Sequence, residues 1–100
     1  METHARKLLV IIGEAALEKN IVRDLRRFGA QGYTITDVRG GGGHGEREAS
    51  WENDRSIELK IVAEAEVAER IAQHVLATYA PHYAIVMFTA DVGVFRPQKF

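Results

Sequence analysis

A run of glycines flanked by basic residues is the part of this 100-residue sequence best suited to hold a ligand. Gly40–Gly43 are followed by His44 and Arg47, and Arg39 and Arg55 bracket the segment. Without Cβ atoms, consecutive glycines let the backbone approach a ligand and turn several N–H groups toward one anion. The residues therefore predict a site for a phosphate or a small oxyanion, with a plain flexible tether as the alternative.

The glycine run matches no standard nucleotide motif. A P-loop requires a Lys-Ser/Thr pair that is missing here, and a dinucleotide fingerprint must open a helix directly after the first strand. Trp51 lies in the same polar stretch. It either packs back on the domain or contacts a partner, because Trp is enriched at binding interfaces. We interpret Trp51 as a partner-binding candidate.

Other residue types that could do chemistry lack the required arrangement. The four histidines, at positions 4, 44, 74 and 82, do not have the spacing of metal ligands on a helix. The acidic residues at positions 46, 48 and 52 fall in a polar stretch, where a solvated loop is the expected environment. No serine lies in a nucleophile elbow, and the chain has no cysteine. The sequence therefore predicts neither a catalytic centre nor a metal site.

Composition narrows the class of protein further. A length of 100 residues predicts one domain, residues 1–100. A net charge of -1 argues against a nucleic-acid-binding surface, which is normally basic. The apolar runs are too short for a membrane span or a signal peptide, so a cytoplasmic location is expected.

Hydrophobic periodicity predicts six elements. Short β-branched runs predict four strands, and apolar residues at helical spacing predict two helices. The strands are expected at Lys7–Ile12, Tyr33–Val38, Ser56–Ala63 and Tyr83–Ala90, and the helices at Glu14–Gln31 and Glu64–Thr78. A kink is expected at Asp91–Gly93, then a short continuation over Val94–Arg96 and a tail over 97–100. The order βαββαβ predicts an α+β, ferredoxin-like sandwich.

The helical patterns also predict which side chains are buried. Gly29 or Gly32 is expected to end the first helix in the left-handed conformation. On that helix, Asp24 falls with the basic residues on the polar side. The second helix has an apolar stripe that includes Leu76 and Tyr79; its other members are Ala68, Ile71, Ala72 and Val75.

Two features go beyond a simple sandwich. The connection between strands 2 and 3, about residues 40–55, is far longer than a hairpin needs, which is typical of functional or disordered loops. In addition, Leu8–Ile12 and Ala84–Phe88 do not alternate in polarity. Since two helices cover only one face of the sheet, we expect identical chains to cover the other face in a closed ring.

Three segments resemble the PII signal-transduction family. They are ALEKNIVRDLRRFGAQGYTITDVRGGGG from Ala16, VAERIAQHV from Val67 and HYAIVMFTADVGVF from His82. The second half resembles the small PII-like branch associated with bicarbonate transporters and carboxysomes. The resemblance covers roughly Arg6 to Phe95.

The resemblance implies a non-enzymatic homotrimer that binds adenine nucleotides, and bicarbonate as a further candidate, between subunits. It implies that ligand binding orders residues 40–55, the "T-loop", to control a partner such as a bicarbonate transporter or a carboxysome component. Carried over by position, Thr34 faces the adenine, and phosphates meet the glycines and two arginines. The residues expected to contact the phosphates are Gly40, Gly41, Gly42, Gly43, Arg47 and Arg96.

Departures from the nitrogen-regulatory members change these expectations. The stretch ATYAPHYA, residues 77–84, replaces a second Gly-rich loop with its lysine, so ADP, AMP or cAMP is favoured over ATP. No tyrosine for uridylylation lies in residues 40–55, and the C-terminal cysteine pair of some relatives is missing. Two alternatives remain open: a ligand-free interaction module of the same fold, and a metal-responsive trimer of the ion-tolerance type.

Overall fold

A four-stranded antiparallel sheet with two helices forms the domain in a computed structural model that describes residues 1–40 and 55–100. The predicted order βαββαβ is confirmed. The elements are β1 (His4–Glu14), α1 (Glu18–Arg27), β2 (Thr34–Val38), β3 (Ser56–Ala63), α2 (Ala65–Thr78) and β4 (Val86–Val94). Single 3-10 turns at Ala15–Leu17 and Pro97–Lys99 follow β1 and β4.

The sheet has the strand order β2-β3-β1-β4, so β2 and β4 form its opposite edges. In the centre, Leu9 pairs with Ile61 and Ile11 with Leu59. These four side chains have no exposed surface and face the helices. They pack with fully or almost fully buried side chains of α1 and α2, namely Ile21, Leu25, Ala68, Ile71 and Val75. This contact holds the two helices on one face of the sheet.

Local backbone chemistry shortens the first predicted helix at both ends. Glu14 still belongs to β1, and a 3-10 turn separates it from α1. At the other end Gly29 has a φ of 92°, the left-handed conformation that glycine adopts cheaply. The Gly29 N–H donates to the Arg26 carbonyl (3.1 Å), and the Ala30 N–H to the Leu25 carbonyl (3.0 Å). These two bonds form a Schellman cap, which confirms Gly29 as the terminator.

The prediction of a kink in the last strand is wrong. Pairing with β1 continues without interruption from Val86 to Val94, through Asp91 and Gly93. The Lys7 ammonium donates to the Asp91 carboxylate at 2.6 Å, so the polar residue in the strand has a partner across the ladder. At Gly93 a Cβ atom would lie 3.0 Å from the Thr3 side chain, so the glycine accommodates a close neighbour.

The face of the sheet opposite the helices, here called the open face, is divided into an apolar and a polar half. Along β1 and β4 most of its residues are apolar, and the polar exceptions, His4 and Arg6, lie at the start of β1. The apolar residues are Leu8, Val10, Ile12, Val86, Phe88, Ala90 and Val92. Along β2 and β3 they include Thr34, Thr36, Glu58 and Lys60. Val86 and Phe88 are 59% and 51% exposed. Such a patch favours contact with another chain. Within the described ranges, no helix is both long and apolar enough to cross a membrane.

Replacing Phe88 with lysine should dissociate the expected ring of chains. The charge would enter the apolar half of the open face, where burial against a neighbour would cost several kcal/mol. Light scattering should give the monomer mass for Phe88→Lys and a multiple of it for the unchanged chain. Thr36→Lys adds the same charge to the polar half and should keep the larger mass. A monomeric parent chain at micromolar concentration would contradict this prediction.

Candidate functional site

The two ends of the long connection between β2 and β3 emerge together beside the start of the helical layer. Val38 pairs with Ser56 at the last register position of the two strands. The Arg55 carbonyl accepts a hydrogen bond from the Ala15 N–H at 2.8 Å, which ties the connection to the 3-10 turn after β1. Gly40 is exposed, and a Cβ atom there would meet nothing within 4 Å. Among the described residues, nothing packs against Gly40 at the base of the connection.

Thr34 is the first residue of β2 and has an exposed side chain. It pairs with Lys60 of β3, which itself lies opposite Val10, and Val10 lies opposite Phe88. Side chains alternate along strands, so Thr34 belongs to the open face, as do those three residues. Thr34 is thus on the β2 edge, three strands away from β4.

Arg96 lies just past the C-terminal end of β4, the strand at the other edge of the sheet. It follows the end of β4, is exposed, and its carbonyl accepts the Lys99 N–H at 3.0 Å in the 3-10 turn. Val94 pairs with His4, whereas Phe88, in the same row as Thr34, pairs with Val10. Arg96 is therefore separated from Thr34 by three strand spacings, roughly 14 Å, and by at least six residues along the strands, roughly 20 Å.

One chain does not bring its predicted ligand-binding residues together. Gly40 lies past the far end of β2, and Arg96 lies past the end of β4 at the opposite end of the sheet. The remaining predicted site residues fall outside the described residues: Gly41, Gly42, Gly43, Arg47 and Trp51. A single ligand could contact Thr34 and Arg96 at once only if they came from two chains.

A buried polar cluster between the helices was missed by the sequence reasoning. Asp24 was expected on the polar side of α1 but is only 2% exposed. Its carboxylate accepts hydrogen bonds from the Tyr79 hydroxyl and from His74 Nε2, the latter at 2.9 Å. Arg27 lies 3.4 Å from the other carboxylate oxygen. The signal was present, because Asp24 follows Ile21 by three residues and so continues the buried stripe of α1.

Burial, hydrogen bonds and neighbouring charges together determine the pKa values of Asp24 and Tyr79 in this cluster. Burial on its own raises the pKa of Asp24, but hydrogen bonds from Tyr79 and His74 and the electrostatic influence of His74 and Arg23 lower it below its ordinary value of 3.8. Burial, the hydrogen bond to Asp24 and the charge of that carboxylate raise the pKa of Tyr79 above 10.0. Both shifts favour an ionised Asp24 and a neutral Tyr79. The cluster fastens α2 to α1 and is directed away from the open face.

The rest of the described surface offers little for chemistry. A shallow cleft on the outside of α1 is lined by Glu18, Lys19, Val22, Arg23, Arg26 and Tyr33. In the part of the chain that the structure describes, no three His, Asp or Glu side chains are grouped as metal ligands.

Comparison with known proteins gives one consistent result. Residues 6–99 match the family described as Nitrogen regulatory protein P-II. No curated protein is significantly similar to this chain in sequence. Among solved structures, a protein from Thermus thermophilus, provisionally described as a PII-like signaling protein, is 40% identical with a TM-score of 0.85. The match covers 100% of this chain and 99% of that one.

Two structures of CPII from Thiomonas intermedia K12 are also similar. One, bound to ADP, AMP and acetate, is 28% identical with a TM-score of 0.87, covering 100% of this chain and 98% of that chain. The other, bound to ADP and bicarbonate, is 29% identical with a TM-score of 0.86, covering 99% and 97%. Both matches extend over nearly the whole of each chain, so the likeness is to the complete fold.

Asp24→Asn should destabilise the fold in a pH-dependent way. At pH 7 we expect a loss of about 1–3 kcal/mol in the free energy of unfolding, because a buried charge-assisted contact is weakened. The folded pKa of Asp24 is lowered, so its contribution is complete above the unfolded value of 3.8 and is lost as pH falls through the folded pKa. Urea unfolding at several pH values should show the two proteins converging in acid.

The control for that experiment is Asp91→Asn. Asp91 also pairs with a cation, but its side chain is 87% exposed, and exposed ion pairs contribute little. Its stability should follow the parent chain at every pH. Equal stability of Asp24→Asn and the parent at pH 7, or a difference that grows in acid, would refute this description of the cluster.

Proposed function

The chain belongs to the Nitrogen regulatory protein P-II family, and we propose that it is a regulatory protein that binds ADP or AMP between the identical chains of a trimer. On this proposal the whole chain forms one P-II domain, acts in the cytoplasm and signals without catalytic turnover. The observation that carries the proposal is the placement of Thr34 and Arg96 at opposite edges of one sheet.

That placement favours a site shared by neighbours. If Thr34 of one chain and Arg96 of the next contact the same nucleotide, the β2 edge of each chain must face the β4 edge of its neighbour. A head-to-tail contact of this kind closes into a ring when repeated by rotation. P-II family proteins form trimers. The apolar half of the open face, along β1 and β4, then provides the surface that such an assembly buries.

The ligands of the similar CPII structures support the choice of nucleotide. One of these two structures of the same protein holds ADP and AMP and the other holds ADP and bicarbonate, at 28% and 29% identity to this chain. We assign the adenine to Thr34 and the phosphates to Arg96, Arg47 and the glycines at positions 40–43. Because residues 77–84 lack a Gly-rich loop with a lysine, ADP and AMP are favoured over ATP, with cAMP as a further candidate.

Signalling follows from the charge of the T-loop base. Arg39 directly precedes the T-loop and Arg55 is its last residue, and an anion bound there would offset their mutual repulsion. We propose that nucleotide, with bicarbonate, orders the T-loop and that the ordered T-loop binds or releases a protein of inorganic-carbon metabolism. A bicarbonate transporter or a carboxysome component is the partner that this proposal names, and Trp51 is the proposed contact residue.

The alternatives predict different behaviour. A ligand-free interaction module would bind a protein partner through Trp51 whatever nucleotide is added. A metal-responsive trimer would respond to divalent cations. The four histidines are scattered along the sequence and the chain has no cysteine, so no set of metal ligands is evident. The nucleotide-binding trimer is favoured because ADP or AMP is bound in relatives that match almost the entire chain.

Calorimetry with ADP, AMP, cAMP and ATP tests the proposed function. ADP and AMP should bind with dissociation constants well below about 1 mM, an affinity of roughly 4 kcal/mol. Arg47→Ala should weaken ADP binding about tenfold, because a charge-assisted phosphate contact is removed, and should leave the melting temperature unchanged. Repeating the titration in bicarbonate tests whether the two ligands cooperate. No binding of any nucleotide at millimolar concentration would discard the proposal.

A further inference from the structure

The first strand is tied to the C-terminal turn by one arginine side chain. Arg6 lies on the open face near the start of β1, opposite Val92 of β4. One of its terminal nitrogens, Nη2, donates to the Pro97 carbonyl at 3.3 Å, and the other, Nη1, donates to the Ala5 carbonyl at 2.8 Å. The Pro97 carbonyl also accepts the Phe100 N–H at 3.1 Å. Arg6 therefore joins a contact that closes the turn Pro97–Lys99.

The Arg6 guanidinium is held here at a cost. Its Nε atom is buried and has no hydrogen-bond partner among the residues that the structure describes. A buried donor without a partner is unfavourable, so the position is not explained by hydrogen bonding of Arg6 alone. By donating to the Pro97 carbonyl, the Arg6 side chain holds the turn Pro97–Lys99 at the end of the open face. Val94, on the same face, is only 8% exposed.

The turn carries an uncompensated positive charge. Arg96 begins it and Lys99 ends it, and both side chains are exposed. Within residues 1–40 and 55–100, no carboxylate forms an ion pair with Arg6, Arg96 or Lys99. The nearest acidic residue along β4, Asp91, is paired with Lys7 on the opposite face of the sheet. Three cations around one short turn, with no ion-paired carboxylate among the described residues, favour the binding of an anion there.

We propose that Arg6 is a positioning residue that holds the Pro97–Lys99 turn, so that Arg96 and Lys99 together meet the phosphate groups of the nucleotide. This inference rests on the proposed function. Arg6 acts through Arg96 and Lys99, because its two terminal nitrogens donate to the backbone carbonyls of Ala5 and Pro97 and its Nε is buried. A fixed pair of cations binds a phosphate more tightly than a mobile pair, since less ordering is needed on binding.

The test compares ADP and AMP affinities, measured by calorimetry, for Arg6→Gln, Arg96→Gln and the double variant. Each single variant should weaken ADP binding by about tenfold. The loss should be smaller for AMP, because AMP carries less negative charge and gains less from each cation. The double variant should lose clearly less than the product of the two single losses, because Arg6 acts through the residue already replaced.

Lys7→Gln is the matched control. Lys7 is the next residue of β1, has the same charge and pairs across the ladder with Asp91, but lies on the opposite face. It should leave the ADP affinity nearly unchanged and combine with Arg96→Gln additively. Melting temperatures without nucleotide identify any variant whose fold is damaged. For such a variant Arg6→Lys, which keeps the charge and one donor, should recover part of the ADP affinity.

The outcomes separate this inference from the function on which it rests. If the unchanged chain binds no nucleotide, the proposed function fails. If it binds ADP and Arg96→Gln weakens binding while Arg6→Gln does not, the function stands and the role of Arg6 is refuted. Strictly multiplicative losses in the double variant would also refute it, because Arg6 and Arg96 would then act independently.

Discussion

The strand order β2-β3-β1-β4 is the constraint on which the rest of this structure depends. It places the strand that leads into the T-loop at one edge of the sheet and the strand that leads into the C-terminal turn at the other. The helices cover one face of the sheet, and their contact with it is filled by buried apolar side chains. The proposed site between chains therefore rests on this strand order as much as on any single side chain.

The two faces of the sheet have different roles in this account. On the helix face, a buried apolar core and the cluster of Asp24, His74 and Tyr79 hold α1 and α2 in place. On the open face, an apolar half beside a polar half leaves one surface for other chains and one for water. The division keeps the groups that determine stability apart from the edges at which binding is proposed.

Much of the fold could be predicted from the sequence because hydrophobic periodicity reports burial directly. Ser56–Ala63 alternates cleanly and forms β3 with the same bounds. The errors arose where tertiary contacts override local pattern. Asp24 is buried because Tyr79 and His74 satisfy it across 50 or more residues. The last strand continues past Asp91 because its backbone pairs with β1 as far as Val94. Leu76 was assigned to the apolar stripe of α2 but is 58% exposed.

The candidate site was less predictable, because Thr34 and Arg96 lie far apart within one chain and periodicity does not describe contacts between chains. Periodicity placed Thr34 and Arg96 on strands but gave no information on which edges meet. Arg6 gave no sequence signal at all, since its importance comes from a bond to Pro97, 91 residues away. The glycines and arginines indicated that the ligand is an anion. Proposing where it binds required the strand order, which the sequence pattern does not give.

Subunit mixing measures the central claim, a nucleotide site shared by the β2 edge of one chain and the β4 edge of the next. Thr34→Glu and Arg96→Gln should each bind ADP poorly alone. After unfolding and refolding together, about a quarter of the boundaries would combine an intact Thr34 with an intact Arg96, by random assembly of a ring. About a quarter of the sites should therefore bind ADP with the affinity of the parent chain. No recovery, in assemblies shown by mass to contain both variants, would place the site within one chain and contradict it.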